Sequence, residues 1–332
     1  MTIKPQARAL LAATALALAA LLATVPGAQA ATRPTARTQA LHGIRIALGA
    51  TSSLYANAFT EAPGGAVFFS RGAVVYVVEG NRAPVVALHA AGTVHALGAN
   101  GSDLFVETGL RVTEYSRSTG SQLRHWTLTS LSAPVTSAGL YVAGDTVWAW
   151  TDWATDGSGF EYAQVDRMHS TSPAVRVVDR DAFPADMSAD GAGLYFETVH
   201  GVTDSLAQAS PTTSAVRYRK APVDAPLALA GGRVDLLAFG SSAADVLSYN
   251  ASTLALVSSK RVPQTDGSIV GTGLGLLVLA RSTVGRLNVA TGGSSGVLRT
   301  PGAYQLLNGP AVIEATSVRG THANLFLVRI SS

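Results

Sequence analysis

The sequence has 332 residues, no cysteine and an apolar fraction of 47%. The absence of cysteine excludes disulfides and thiolate metal sites, so stability must come from a large apolar core, which a chain of this length can bury. Removing Lys4 and Arg8 with a predicted signal peptide leaves 22 of the 24 basic residues against 21 acidic ones. Because the remaining basic residues are scattered, the sequence does not indicate a nucleic-acid partner.

Residues 1–30 predict a secretory signal peptide. Lys4 and Arg8 precede an apolar stretch over residues 9–25, and the small-residue triplet Ala28-Gln29-Ala30 follows. A transmembrane anchor is the competing interpretation, but the apolar run is short for a span of about 20 residues, and the triplet is a cleavage pattern. We therefore expect a secreted protein, extracellular or associated with the cell wall, with no membrane span after cleavage.

The rest of the chain predicts a short leader followed by one all-β domain. Residues 31–40 contain Pro34 and no apolar period, which is typical of a flexible leader. From residue 41 to residue 332, short runs of Val, Leu, Phe, Tyr and Trp alternate with Gly, Ser, Asp and Asn turns, and long amphipathic helices are missing.

A turn containing glycine, followed by an apolar strand, recurs seven times in the predicted domain. These markers begin at Gly65, Gly101, Gly144, Gly191, Gly232, Gly273 and Gly309, with spacings of 36, 43, 47, 41, 41 and 36 residues. A hairpin and a third strand follow each marker, and six units add a fourth strand. Four strands repeated every 40 to 45 residues or so are typical of β-propeller blades. The pattern predicts seven blades, with six or eight as alternatives because the third unit is longer.

The seventh unit offers no outer strand of its own before Ser332, whereas residues 43–48 form an unpaired apolar strand ahead of the first blade. We predict that Ile44 to Leu48 pairs with Leu325 to Ile330. This pairing would tie the two ends of the domain together and remove an exposed strand edge.

Two segments resemble known propeller repeats. Ser188-Ala-Asp-Gly191, with the strand that follows it, is similar to the Ser-x-Asp-Gly turn of TolB-like repeats, and Val112 to Gly120 resembles the strand and Thr-Gly turn of YVTN and PQQ-like repeats. The resemblance implies a propeller of the broad WD40/YVTN-like kind. It implies no activity, because such propellers include lactonases, lyases, dehydrogenases and binding scaffolds.

The predicted loop face, where the second and third strands of each blade meet, contains the candidate ligand residues. The enlarged hairpin of the third blade contributes Asp152, Trp153, Asp156 and Phe160. Trp153 is interpreted either as packing or as a platform for a sugar ring or a partner surface, whereas Trp148 and Trp150, which share a strand face, are interpreted as packing between blades. Other hairpins contribute His200, Arg281, Arg319 and His322.

The sequence predicts no cofactor, and it leaves calcium as an alternative near Asp179 and Asp181. Together with Asp186 and Asp190, these residues give four carboxylates within 12 positions, and calcium prefers such oxygen ligands. Because the spacing of a calcium loop is missing, turn and capping roles are favoured.

Three further patterns have a simpler structural interpretation. Glu107 and Glu197 recur at the same place in two marker strands, which indicates blade geometry, with a carboxylate pair across the channel as the alternative. The segment Gly271-Thr-Gly273-Leu-Gly275 leads into a strand instead of a helix and therefore predicts a turn, not a nucleotide site. The seven histidines, His95 among them, show no metal-ligand spacing.

These observations favour a monomeric secreted propeller that binds an envelope or extracellular ligand, either a carbohydrate or a protein. The alternative is a hydrolase or lyase with its site at the channel mouth. The two hypotheses differ in one feature, since an enzyme needs several titratable groups from different blades to converge. Nothing in the sequence commits the chain to catalysis.

Overall fold

The computed structural model describes residues 40–51, 57–129, 135–153, 162–201, 203–222, 225–240, 243–262, 267–280, 282–307, 309–319 and 322–332. They belong to a compact unit that runs from Gln39 to Ser332. The unit is all-β and consists of seven four-stranded antiparallel blades, which confirms the predicted propeller. Within the described ranges, no helix has the length and hydropathy needed to cross a membrane.

The strands follow the chain from the first blade to the last, except that β1 (His42–Thr51) completes blade 7. Blade 1 contains β2 (Phe59–Glu61), β3 (Val67–Arg71), β4 (Val74–Val78) and β5 (Val85–His89). Blade 2 contains β6 (Ala96–Ala99), β7 (Asp103–Thr108), β8 (Arg111–Ser116) and β9 (Gln122–Thr127). Blade 3 contains β10 (Val135–Ala143), β11 (Thr146–Trp153), β12 (Tyr162–His169) and the first part of β13 (Ser172–Asp190).

The second part of β13 opens blade 4, which continues with β14 (Gly193–His200), β15 (Thr203–Ala209) and β16 (Val216–Lys220). Blade 5 contains β17 (Leu227–Ala230), β18 (Arg233–Phe239), β19 (Ala244–Asn250) and β20 (Leu256–Val262). Blade 6 contains β21 (Ser268–Thr272), β22 (Gly275–Ala280), β23 (Thr283–Leu287) and β24 (Ser294–Arg299). Blade 7 contains β25 (Ala303–Leu306), β26 (Ala311–Arg319) and β27 (His322–Ser331). Every predicted marker strand is the second strand of its blade.

Strand β13 is shared between two blades, so blades 3 and 4 form one seven-stranded sheet. Its first part pairs with β12, for example at Asp166 and Val177, and its last part pairs with β14, for example at Met187 and Phe196. The cluster of aspartates that the sequence places at this junction therefore lies along a continuous strand.

The ring is closed by β1, as predicted. Ile44 pairs with Arg329 and Ile46 with Leu327 in an antiparallel ladder along β27. The Arg329 guanidinium extends the closure to blade 1, because it donates hydrogen bonds to the carbonyl groups of Gly65 at 2.7 Å and Gly80 at 2.8 Å. Main-chain pairing and a charged side chain thus both hold the two ends of the domain together.

The hydrophobic core is divided into seven layers, one between each pair of neighbouring blades. Successive side chains of a strand point to opposite faces, so each blade contributes to two layers. The layer between blades 7 and 1 contains Ile46, Leu327 and Phe69, and the layer between blades 3 and 4 contains Trp148 and Phe196. Seven distinct layers account for the high proportion of Val, Leu and Phe in the strands.

Candidate functional site

The innermost strands of all seven blades surround a central channel of about 1170 Å³. Its wall is formed by β2, β6, β10, the last part of β13, β17, β21 and β25. Most of these strands are short. On β6, Ala96 packs in the layer between blades 2 and 3, and Gly98 faces blade 3 so closely that a Cβ there would lie 2.8 Å from a methyl group of Val142. The channel is a large concave surface that the innermost strands of all seven blades share, which makes it a candidate ligand site.

Aromatic residues from three blades line the channel: Phe59, Tyr141, Trp150 and Tyr304. Trp150 lies on β11, the second strand of its blade, and its backbone pairs with Gly139 on the inner strand β10. A Cβ atom at Gly139 would lie 2.0 Å from the indole Nε1, so the absence of a side chain there leaves room for the ring. Trp150 packs against the layer between blades 3 and 4 and also lines the channel, whereas Trp148 is fully buried in that layer.

Titratable side chains occur at both ends of the channel. Glu61 and Asp190 are the last residues of β2 and β13, whereas His95 immediately precedes β6. Since each inner strand runs along the channel, these positions place the histidine at the opposite end from the two carboxylates. Burial raises the pKa of Glu61, and the nearby Arg329 partly opposes this change.

The enlarged hairpin of blade 3 lies mostly outside the described residues. Asp152 and Trp153 are the last residues of β11, where the structure describes their backbone only, and Asp156 and Phe160 fall outside the described ranges. Arg281 also falls outside them, and Arg319 ends β26 with its backbone alone described. The ligand-binding roles of these residues therefore stay predictions.

The two histidines of the predicted loop face have exposed side chains. His200 is the last residue of β14 and stacks on Tyr218 of the outer strand, with 3.9 Å between the ring centroids. His322 is the first residue of β27. Neither belongs to the described wall of the channel, so the structure does not bring them together with His95.

The aspartates of β13 have local hydrogen-bond partners where their side chains are described. Asp179 accepts a hydrogen bond from the Thr198 hydroxyl at 3.1 Å, and Asp190 accepts one from the Ala192 backbone N–H at 2.8 Å. The second contact is the predicted turn. The side chain of Asp181 is not described. Among the described residues, no three His, Cys, Asp or Glu side chains are grouped so that they could hold a metal ion.

Carboxylates inside the blade interfaces are the feature that the sequence analysis missed. Glu107 and Asp166 are buried between blades 2 and 3, and burial raises the pKa of each. Glu197, at the equivalent position in blade 4, is buried on the side of blade 5, where its Oε2 accepts a hydrogen bond from Ala225 N–H at 3.3 Å. Neither glutamate belongs to the described channel wall, so the alternative of a carboxylate pair across the channel is wrong.

No protein-family model and no curated protein matches the sequence. Solved propeller structures do match the fold. The Neurospora crassa Pan2 WD40 domain is 8% identical with a TM-score of 0.57, and the comparison covers 85% of this chain and 95% of that one. An oligogalacturonate lyase in complex with manganese is 13% identical with a TM-score of 0.54, covering 88% and 91% of the two chains. At these identities the similarity shows the fold alone.

Proposed function

We propose that the protein is a secreted binding module that takes an extracellular carbohydrate in its central channel. The observation that carries this proposal is the channel itself, which has a volume of about 1170 Å³ and four aromatic side chains in its wall. Ligand pockets usually have volumes of roughly 300 to 1,000 Å³, so the channel is large enough for an oligosaccharide. Secretion rests on the signal peptide that the sequence predicts.

The chemistry of the wall fits a sugar better than a charged ligand. A sugar ring has apolar C–H faces, which pack on aromatic rings, and hydroxyl groups, which form hydrogen bonds with hydroxyl and amide groups. Trp150 and Tyr304 supply the rings, and Thr60, Ser188 and Gln305 supply polar groups from three blades. An extracellular protein segment that inserts into the channel is the second ligand class, because aromatic and amide groups also bind peptides.

A hydrolase or lyase is less well supported by the geometry. Such chemistry needs several titratable groups that converge on one bond, whereas Glu61 and Asp190 stand at the opposite end of the channel from His95. Similarity to an oligogalacturonate lyase concerns the fold, and it does not favour this activity over binding.

A glycan array probed with the purified protein tests the proposal, and two tyrosines provide a matched pair of variants. Tyr304 lines the channel and Tyr218 lies on the outer strand of blade 4, yet each is 36% exposed. Tyr304→Ala should weaken binding of the identified glycan by about tenfold, which is about 1.4 kcal/mol and typical of one lost aromatic contact. Tyr218→Ala should leave the affinity unchanged.

Two results would count against this proposal. An array without any bound glycan removes the carbohydrate version, and a pull-down with extracellular proteins then tests the protein version. A glycan that binds normally to Tyr304→Ala but weakly to Tyr218→Ala would move the site to the outer edge of blade 4, beside His200.

A further inference from the structure

A buried cluster of oxygen atoms lies between blades 2 and 3, away from the channel wall. Glu107 on β7 and Gln164 and Asp166 on β12 are each at most 1% exposed. Glu107 lies two residues from Phe105, and Asp166 lies two residues from Met168, and both of these apolar residues pack in the same layer. The alternation of the strands therefore directs the polar side chains into one interface, where the charge of Asp166 acts on Glu107.

Hydrogen bonds account for only part of this cluster. The Nε2 group of Gln164 donates to both oxygens of Asp166 at 3.0 Å, and the backbone N–H of Thr129 donates to Oδ2 at 3.3 Å. None of the described residues donates to either carboxylate oxygen of Glu107 or to Oε1 of Gln164. Three buried acceptor oxygens thus lack a donor beside a second carboxylate.

Two neighbouring buried carboxylates, one of which lacks donors, are unfavourable when both are ionised and no cation lies between them. A buried charge without a partner carries a large desolvation cost, because it loses the water that would stabilise it. Glu107 is fully buried, and neither of its carboxylate oxygens accepts a hydrogen bond from a described residue. The exposed Arg180 acts on Asp166, but no basic group of the described chain offsets the charge of Glu107.

The equivalent glutamate of blade 4 shows that the fold does not require this arrangement. Glu197 is as deeply buried as Glu107 and occupies the same place in its marker strand, yet it accepts a hydrogen bond from the Ala225 backbone. Blade geometry therefore explains why a glutamate recurs, but it does not explain why Glu107 lacks a donor.

We propose that Glu107, Gln164 and Asp166 form a calcium site that joins blades 2 and 3. Calcium takes six to eight oxygen ligands from carboxylates, side-chain amides, backbone carbonyls and water, roughly 2.3 to 2.6 Å away. Two carboxylates and an amide oxygen supply the charge and the hard ligands, whereas zinc sites usually contain histidine or cysteine. The site is separate from the aspartates of β13, and it would stabilise a protein that has no disulfides.

Calcium titration of the full mature protein tests this site, after treatment with EGTA and gel filtration. Adding calcium should raise the melting temperature by about 5 °C at saturation, because binding to the folded state alone stabilises it. Magnesium should have a smaller effect, since its octahedral geometry and tightly held water fit such a site poorly. Terbium, bound in place of calcium, should give luminescence sensitised by Trp126, which packs in the same layer.

Glu107→Gln and Glu197→Gln are the matched variants. Glu107→Gln should lose the calcium-dependent shift and the terbium signal, whereas Glu197→Gln should retain both even if it is less stable. A wild-type protein whose melting temperature does not respond to calcium, or a Glu107→Gln protein with the full response, would overturn the proposal. If the wild-type protein does not respond to calcium and Glu107→Gln is more stable than the wild type, Glu107 is a protonated carboxyl group instead of a calcium ligand.

Discussion

Closure of the ring by β1 can be measured with two isoleucines on the same strand. Ile46 is 7% exposed and packs between blades 7 and 1, whereas Ile44 is 48% exposed. Ile46→Ala removes about three buried carbon groups, which corresponds to about 2.4 kcal/mol at 0.8 kcal/mol each. A cavity term brings the expected loss of unfolding free energy to about 3 kcal/mol. For a domain of this size, the melting temperature should fall by about 5 °C.

The control for this prediction is Ile44→Ala, which should change the unfolding free energy by less than about 0.5 kcal/mol. Urea unfolding followed by tryptophan fluorescence measures both variants, because Trp126 and Trp148 are fully buried in the folded state. Small and equal effects at the two positions would show that β1 does not dock on β27 in solution. That result would refute the reasoning that the N-terminal strand closes the ring.

Two further predictions concern close packing and buried charge. Gly271→Ala should lower the free energy of unfolding by about 2 kcal/mol or more in urea, because its Cβ would lie 1.6 Å from the carbonyl oxygen of Leu229. Gly273→Ala is the control, since a Cβ at that position has open space and should leave stability unchanged. Equal urea midpoints for the two variants would contradict the close approach of Gly271 to Leu229. Burial raises the pKa of Asp235, against an opposing hydrogen bond from Ser248, so the folded state keeps this proton at higher pH than the unfolded chain does. Stability should therefore fall as pH rises from the ordinary carboxyl range through the raised pKa, and Asp235→Asn should flatten that part of the melting-temperature profile; an unchanged slope would exclude this role.

The sequence predicted the fold well because strand alternation and turn chemistry repeat in every blade. Each glycine-led marker became a second strand, and the apolar strand over residues 43–48 found its partner in β27. The aspartates between Asp179 and Asp190 indicated turns at the junction of blades 3 and 4, but strand β13 runs through that junction without a break. Strands β12 and β14 both offer a ladder of backbone partners there, and such pairing outweighs the low strand propensity of aspartate.

The candidate site was harder to predict, because its wall comes from inconspicuous residues. A period of two places Trp148 and Trp150 on one face, but it does not reveal where along the strand the channel begins. Trp150 lines the channel and Trp148 does not. Trp150 has room there because Gly139, which has no side chain, lies opposite it in the register of β10 and β11. Glu107 did leave a signal in its recurrence with Glu197, yet the layers that separate the two glutamates exist only in the folded ring.

Crowding near the axis of the propeller explains two glycines of the inner strands, Gly98 and Gly271. Blades converge toward the channel, so the inner strands of neighbouring blades approach most closely there, and only small residues fit at some positions. A Cβ at Gly98 would lie 2.8 Å from a methyl group of Val142, and one at Gly271 would overlap Leu229 of the neighbouring strand. Glycine relieves such contacts because it has no side chain. Gly98 and Gly271 therefore mark positions where neighbouring blades come close together, whereas Gly139 leaves room for Trp150 of its own blade, so all three glycines shape the wall of the channel.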